Sequence, residues 1–360
     1  MNFGREVLPY GVFSVGDGPR KVGVAVDDGV LDLSEALGPD WAVPSLNPFL
    51  SRGRAHWTEV RSQVRGLLDR PVVPSSDVTL HLPFEVADYV DFYASEAHAT
   101  NLGRMFRPDG DALLPNWKHL PVGYHGRAGT VVVSGTDVRR PCGLRAPGPS
   151  YGPSLKLDVE VEVGFVVGVP SELGMPVSTG DFEDHVFGIV LLNDWSARDI
   201  QAYEYVPLGP FLGKSFATSI SPWVVPLEAL DRVPAPVQDP PVADYLRVAE
   251  DWGLDLELSL SLNGEVVSRP PFGGMYWTAP QMLAHLTANG ACLRTGDLFA
   301  SGTVSGEAAD QRGSLIELTW NGRDVVAGRT FLQDGDVATI TATTRSGLPL
   351  GAVTGRITPT

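Results

Sequence analysis

Cysteine is scarce in this 360-residue sequence, which contains only Cys142 and Cys292. Two cysteines are too few for a disulfide framework, and their separation excludes a C-x-x-C redox or zinc motif. A reducing cytoplasm is therefore the expected location. The sequence also lacks any run of some 18 apolar residues and any N-terminal basic region followed by an apolar stretch, so we expect an untargeted soluble protein with no membrane partner.

Basic residues are also few. The chain has 27 Lys and Arg against 43 Asp and Glu, which gives a formal net charge of −16. Such a balance disfavours nucleic acid or an anionic membrane surface as the main partner, because both are polyanions. The acidity by itself identifies no partner.

Glycine and proline are frequent, at 40 and 30 residues, but not frequent enough for a low-complexity chain. Short apolar segments broken by turn residues predict a mainly β, α+β protein with largely antiparallel strands. The length suits two domains, and the pattern of apolar and polar residues changes near residue 84. We therefore predict a first domain over residues 1–83 and a second over residues 84–360.

Local patterns predict individual elements of these domains. The DDG between KVGVAV and VLDL is typical of a hairpin turn. Strands are predicted at DVEVEVGFVVG, FGIVLLND and SLIELTWNG, and helices at FYASEAHATNLGRMF and SARDIQAYEY. The start of the second helix, Ser196 to Asp199, fits a capping box.

Two familiar motifs are matched only superficially. GPSYG at 148–152 fits the G-x-S-x-G pattern of serine hydrolases, but it lacks the preceding strand and the following helix of that elbow. LGPFLGKSF at 208–216 is one residue too short between its glycines for a phosphate-binding loop. The sequence therefore predicts no nucleotide or organic cofactor.

The segment LKLDVEVEVGFVVG, residues 155–168, places Asp158, Glu160 and Glu162 on one face of a predicted strand. Neighbouring carboxylates at a spacing of roughly 6.6 Å repel unless water or a positive group lies against them. One interpretation is an antiparallel strand with a solvated acidic face. The other is a metal site, which requires further ligands.

Further acidic residues favour the metal site. Asp194 follows a predicted buried strand, and Asp91 precedes a predicted helix. Together with Glu160 and Glu162 they form a set of oxygen ligands without sulfur or imidazole. Such a set suits a hard divalent cation, Mg²⁺ or Ca²⁺.

Other polar residues leave their roles open. Arg198, Gln201 and Tyr205 share one helix face, which is either a catalytic surface or a solvated side of an amphipathic helix. Lys214 lies in an apolar, glycine-rich loop and is either solvated or directed at an anion. His98 gains significance only if a carboxylate orients it; Glu317 is a candidate, but spacing alone does not show that the two meet.

Longer segments of the chain occur in a recognisable order: DFYASEAHATNLGRMFRPDGDALLPNWKHLPVGYHGRAGTVVVSGT, LDVEVEV, LLNDWSARDIQAYEYVPLGPFLGKSFATSISPWVVP and LFASGTVSG. Together with LPYGVFS and SLNPFLSRGRAHWTEVRSQVRGLL near the N-terminus, they resemble the fumarylacetoacetate hydrolase family in its long two-domain form. The resemblance implies an N-terminal SH3-like barrel, a C-terminal mixed β-roll or β-sandwich domain that carries the active site, and a homodimer. It also implies metal-dependent hydrolysis of a diketo acid to fumarate and acetoacetate, in tyrosine and phenylalanine catabolism.

The resemblance also assigns roles to residues of this chain. The implied metal ligands are Asp91, Glu160, Glu162 and Asp194, whereas Asp158 is expected to be structural. The implied general base is His98 with Glu317 as its orienting partner, and the groups that stabilise the oxyanion are Arg198, Gln201 and Lys214. The implied substrate contacts are Tyr93, Arg107, Tyr124, Gln201, Tyr205 and Thr303.

The sequence is also compatible with two rival functions. The same C-terminal fold, as the resemblance also implies, serves hydrolases and decarboxylases of related 1,3-diketo or acylpyruvate acids. The presence of the first domain and of the D-F-Y…H pattern favours the diketone hydrolase. A non-catalytic binding protein would be expected to have lost His98, Glu317 or an acidic ligand, and this sequence retains them all.

Overall fold

The computed structural model describes residues 3–249 and 252–360, and short strands dominate this part of the chain. The strands are β1 (Tyr10–Val15), β2 (Lys21–Val26), β3 (Gly29–Asp32), β4 (Val73–Pro74), β5 (Val78–His81), β6 (Tyr89–Phe92), β7 (Gly123–His125), β8 (Val131–Val133), β9 (Val138–Arg139), β10 (Cys142–Arg145), β11 (Ser150–Pro153), β12 (Leu157–Asp158), β13 (Val161–Val167), β14 (Val186–Asp194), β15 (Ser196–Ala197), β16 (Thr218–Ile220), β17 (Trp223–Pro226), β18 (Arg232–Val233), β19 (Gly253–Leu254), β20 (Leu256–Leu262), β21 (Glu265–Ser268), β22 (Leu298–Ala300), β23 (Val337–Thr344) and β24 (Pro349–Thr358). The α-helices are α1 (Leu33–Ala36), α2 (Asn47–Leu50), α3 (Arg54–Arg65), α4 (Glu96–Phe106), α5 (Phe182–His185), α6 (Arg198–Glu204), α7 (Ala279–Thr287) and α8 (Leu315–Leu318).

The strands form mixed sheets, and this agrees with the predicted mainly β class. The large sheet runs β4-β3-β2-β1-β17-β14-β13-β22-β6-β7, with β5 paired to β1 and β16 paired to β14. Most of its ladders are antiparallel, but β22–β6 and β16–β8 are parallel. A second sheet has the order β21-β20-β23-β24-β9.

The N-terminal strands join the large sheet directly. β1 pairs with β2 and β5, and Tyr10 and Gly11 also pair with Val224 and Trp223 of β17. Among the described residues no ladder joins β4 to β5, so these strands form no closed barrel, and the predicted SH3-like barrel is not confirmed. The predicted hairpin at Asp27 is confirmed, since this residue has a φ of 52° between the paired strands β2 and β3.

Two local predictions are wrong. SLIELTW is not a strand, because residues 315–318 form the short helix α8, whose first N–H groups donate to the Asp158 carboxylate. The capping box at Ser196 is also absent: α6 begins at Arg198 with Ala197 as its N-cap. Asp199 accepts hydrogen bonds from residues 154 and 155 instead.

The sheet order places the end of β14, the start of β13 and the middle of β6 close together. Ala300 of β22 lies opposite Gly164 of β13 on one side and Asp91 of β6 on the other. Apolar side chains of β13, including Val161, Val163 and Phe165, are fully buried. These strands form a buried platform for the side chains at their ends. No helix in residues 3–249 or 252–360 has the length and apolar character needed to cross a membrane.

Candidate active site

Four buried carboxylates converge where these strands meet. Asp91 lies on β6, Glu162 on β13 and Asp194 at the end of β14, while Glu160 lies in the break between β12 and β13. One oxygen of each residue lies within 4.8 Å of one oxygen of each of the others. The predicted metal ligands are therefore brought together, although the strand that was expected to carry both glutamates is interrupted before Glu160.

The partners of these carboxylates differ. Glu160 accepts hydrogen bonds from Lys214 and, at 2.6 Å, from Arg198. Asp194 accepts from Lys214 at 2.7 Å, and also from Tyr124 and Thr218, each at 2.9 Å.

The other two carboxylates lack such donors. Neither carboxylate oxygen of Glu162 has a hydrogen-bond partner among the described residues, and nor does Oδ1 of Asp91. Burial raises the pKa of both groups far above the usual range, and neighbouring carboxylates raise it further. By contrast, burial is outweighed at Glu160, where Arg198 and Lys214 lower the pKa.

This donor set fits a divalent cation. Unpaired buried carboxyl oxygens are costly unless a positive charge lies against them. Lys214 pairs with Glu160 and Asp194, whereas Asp91 and Glu162 form no ion pair among the described residues. Oxygen ligands without sulfur are those that Mg²⁺ and Ca²⁺ prefer.

A histidine–carboxylate pair lies beside the acidic cluster. His98 is in the first turn of α4, and Ser95 caps that helix by accepting the His98 N–H. The Nδ1 atom of His98 lies 2.6 Å from Oε2 of Glu317, and Nε2 lies 3.9 Å from Oε1 of Glu160. Although burial alone would raise the pKa of Glu317, His98 and the other donors lower it. An ionised Glu317 keeps the proton on Nδ1 and leaves the Nε2 lone pair facing the cluster.

Sequence reasoning missed the residues that hold Glu317 in place. Its Oε1 accepts from Asn101 Nδ2 at 2.9 Å, and its Oε2 accepts from Ser305 Oγ at 2.9 Å and Ser314 Oγ at 2.7 Å. Asn101 lies three residues after His98 on the same face of α4, a spacing that could have identified it. No spacing in the sequence singles out the two serines.

The predicted substrate contacts line a cavity of about 370 Å³ in front of the cluster. Within it, Thr303 Oγ1 and Arg107 Nε have no hydrogen-bond partner among the described residues. Glu162, Asp194 and Glu317 do not line this cavity. The remaining predicted site residues line the cavity itself: Asp91, Tyr93, His98, Arg107, Tyr124, Glu160, Arg198, Gln201, Tyr205, Lys214 and Thr303.

Two family models match the chain. The model described as fumarylacetoacetate (FAA) hydrolase C-terminal matches residues 88–358, and the model described as fumarylacetoacetase N-terminal matches residues 6–83. Among curated relatives, the fumarylacetoacetase of Rattus norvegicus is 47% identical over 94% of this chain and 91% of its own. That of Arabidopsis thaliana is 44% identical over 99% of this chain and 96% of its own.

Solved structures share the fold at lower identity. A fumarylacetoacetate hydrolase from Exiguobacterium antarcticum superposes with a TM-score of 0.63 at 18% identity, covering 98% of this chain and 100% of its own. A maleylpyruvate hydrolase from Sphingobium sp. SYK-6, in complex with manganese(II) and pyruvate, gives a TM-score of 0.59 at 17% identity, covering 98% and 99%. These similarities concern the fold.

Proposed function

Because the chain belongs to the fumarylacetoacetate hydrolase family, we propose that its cavity binds fumarylacetoacetate and that the residues around it carry the reaction. The protein is a metal-dependent hydrolase of carbon–carbon bonds that releases fumarate and acetoacetate. The observation that carries the assignment of roles is that the His98–Glu317 pair and the buried carboxylate cluster both reach one cavity, through His98, Asp91 and Glu160.

His98 acts as the general base. Its Nε2 takes a proton from the water that attacks the carbonyl carbon next to the fumaryl group. The Glu317 carboxylate holds the Nδ1 proton and stabilises the imidazolium that forms, because an opposite charge 2.6 Å away favours the charged ring. A positioned base of this kind typically contributes about 10²- to 10⁴-fold to the rate.

Asp91, Glu160, Glu162 and Asp194 hold the divalent cation, either Mg²⁺ or Ca²⁺. When bound, such a cation acts as a Lewis acid that stabilises negative charge on substrate oxygens. The unpaired oxygens of Asp91 and Glu162 support this assignment. The choice between the two ions rests only on their shared preference for oxygen ligands.

Lys214, Arg198 and Gln201 stabilise the tetrahedral alkoxide. The Arg198 guanidinium is held between Asp158 and Glu160 and also donates to Gln201 Oε1 at 3.2 Å. Lys214 also donates to Glu160, so Lys214, Arg198 and Gln201 form one connected edge of the cavity. Preorganised donors of this type are worth about 3–4 kcal/mol each in the transition state. Collapse of the alkoxide breaks the carbon–carbon bond, and the acetoacetate enolate leaves and takes up a proton.

Arg107 holds a carboxylate of the substrate, for which a guanidinium is well shaped. One of its nitrogens already donates to the Ala112 carbonyl at 2.8 Å, which fixes the side chain, while Nε stays free. Hydroxyl groups complete this binding surface, supplied by Tyr93, Tyr124, Tyr205 and Thr303.

The domain division, the oligomeric state and the location of the protein are also proposals. The division into domains at residues 83 and 84 is supported by the two matched ranges. A homodimer is supported by apolar side chains exposed beside the cavity: Leu208 is 97% exposed, Val206 68% and Phe211 60%. A cytoplasmic location is supported by the two unpaired cysteines.

The direct test is the loss of the diketone's ultraviolet absorbance when purified protein is added to fumarylacetoacetate with Mg²⁺ or Ca²⁺. Rapid loss that yields fumarate and stops with excess chelator is the expected result. The absence of turnover by folded, cation-loaded protein would contradict the proposal and would direct the search to other 1,3-diketo or acylpyruvate acids.

A further inference from the structure

Asp158, which is fully buried, accepts four hydrogen bonds although it belongs neither to the carboxylate cluster nor to the cavity wall. Its Oδ1 accepts from the N–H groups of Val159 at 2.8 Å and Leu315 at 2.7 Å. Its Oδ2 accepts from the Ile316 N–H at 3.1 Å and from Arg198 Nε at 2.8 Å. Every one of these donors is an N–H group, so both carboxylate oxygens are fully used.

These donors belong to two separate parts of the active site. Leu315 and Ile316 begin α8, the short helix that carries Glu317, and the first N–H groups of a helix require an acceptor outside it. Arg198 begins α6 and also donates to Glu160. Asp158 therefore ties the helix of the orienting carboxylate to the guanidinium that faces the substrate.

We propose that Asp158 is a positioning residue, whose carboxylate sets the distance between the His98–Glu317 pair and the Arg198 guanidinium. This inference rests on the proposed function, since it assigns the pair to proton abstraction and the guanidinium to the alkoxide. Both groups must face the same reacting carbon, and a misplacement of about 1 Å can lower a rate by roughly 100-fold.

The test is Asp158→Asn. Each carboxylate oxygen accepts two N–H groups, so the amide NH₂ faces two donors in either orientation. One of the two first N–H groups of α8 therefore always loses its acceptor, and Arg198 loses its acceptor as well when the NH₂ takes the Oδ2 position. We expect kcat to fall about 100-fold, with KM changed only a few fold, because the side chain does not line the cavity.

Asp32→Asn is a matched control. Asp32 is also buried, accepts the Ser34 N–H at 2.9 Å at the start of the four-residue helix α1, and pairs with Lys21. None of these residues lines the cavity. The control variant should lose stability without losing kcat. Equal values of kcat for folded D158N and D32N would overturn the proposal.

A double-mutant cycle separates positioning from a general loss of stability. If Asp158 acts through Glu317, then D158N/E317Q should lose little more activity than E317Q alone. Losses that multiply would show that Asp158 acts independently of Glu317 and would overturn the proposal. If D158N does not fold, Asp158→Ser replaces it, because a hydroxyl still accepts a backbone N–H and is smaller.

A second readout does not depend on turnover. A short hydrogen bond such as that between His98 and Glu317 gives a strongly downfield proton resonance, which H98A identifies by its absence. The resonance should be present in the parent and in D32N, and lost or shifted in D158N. Its unchanged presence in D158N would overturn the inference, whereas a parent that shows the resonance but does not turn over fumarylacetoacetate would contradict only the proposed function.

Discussion

Replacing Glu317 with Gln tests the base directly, because it removes one negative charge and almost no volume. Glu317 is fully buried. The glutamine can keep its oxygen at the Oε2 position, where it still accepts from His98, if Asn101 turns its own amide to accept from the new NH₂ group. The tautomer of His98 is then preserved, and the carboxylate charge is lost.

The expected fall in kcat follows from the loss of that charge. Two unit charges about 4 Å apart attract by about 4 kcal/mol at an effective dielectric of ~20. This attraction stabilises the imidazolium only after His98 has taken the proton, so the loss falls on the transition state. Because each ~1.4 kcal/mol changes the rate tenfold, kcat should fall by about 10³.

The assay is the diketone absorbance at saturating cation, together with calorimetric titration of Mg²⁺ or Ca²⁺. Cation affinity should stay close to that of the parent, since Glu317 is not in the carboxylate cluster. Asp336→Asn is the control for loss of a buried carboxylate, because Asp336 accepts from Arg329 and Asn263 outside the cavity. A kcat within tenfold of the parent value, or equal losses in both variants, would refute the role of Glu317.

Three further predictions concern the same site. His98→Ala should lower kcat by about 10²- to 10⁴-fold and leave cation affinity unchanged. The control His285→Ala removes a surface contact to a tyrosine and should change neither kcat nor cation affinity. Normal turnover by H98A would exclude His98 as the base. Glu162→Gln should weaken cation binding, because it replaces a carboxylate ligand with a neutral amide. Cation affinity equal to the parent's would exclude Glu162 as a ligand. Finally, burial and neighbouring carboxylates raise the pKa values of Asp91 and Glu162 far above the usual range in the cation-free protein. These two groups therefore retain protons that a cation must displace, and affinity should increase with pH. Calorimetric titrations of the cation in two buffers of different ionisation enthalpy should show that binding releases protons. Proton uptake, or no proton exchange, would contradict the assignment of these carboxylates as ligands.

The acidic cluster could be predicted because two of its members lie close in the sequence and Asp194 follows a strand with a strong apolar pattern. The sheet order that brings Asp91 to them depends on β22, whose pairing with both β13 and β6 is a long-range arrangement that no local pattern shows. The contact between His98 and Glu317 likewise joins residues 219 positions apart.

The helical turn around Glu317 shows why a local pattern can fail. Alternation in SLIELTW favours a strand, but the Asp158 carboxylate, 157 positions earlier than Leu315, accepts the first N–H groups of this segment. A buried acceptor from elsewhere in the chain therefore stabilises a turn that the segment itself does not favour. The prediction of a structural role for Asp158 named the residue without revealing what it holds.

The shared ladder between β1 and β17 bears on how the molecule could be divided for engineering. A version without residues 1–83 would leave the backbone of Trp223 and Val224 as an unpaired edge. It would also uncover Phe187, whose ring packs against those of Tyr10, Phe49 and Trp57. Open strand edges beside aromatic surface promote aggregation. A minimal catalytic fragment would therefore need a new covering strand, or charged substitutions along this edge, before it could be handled in solution.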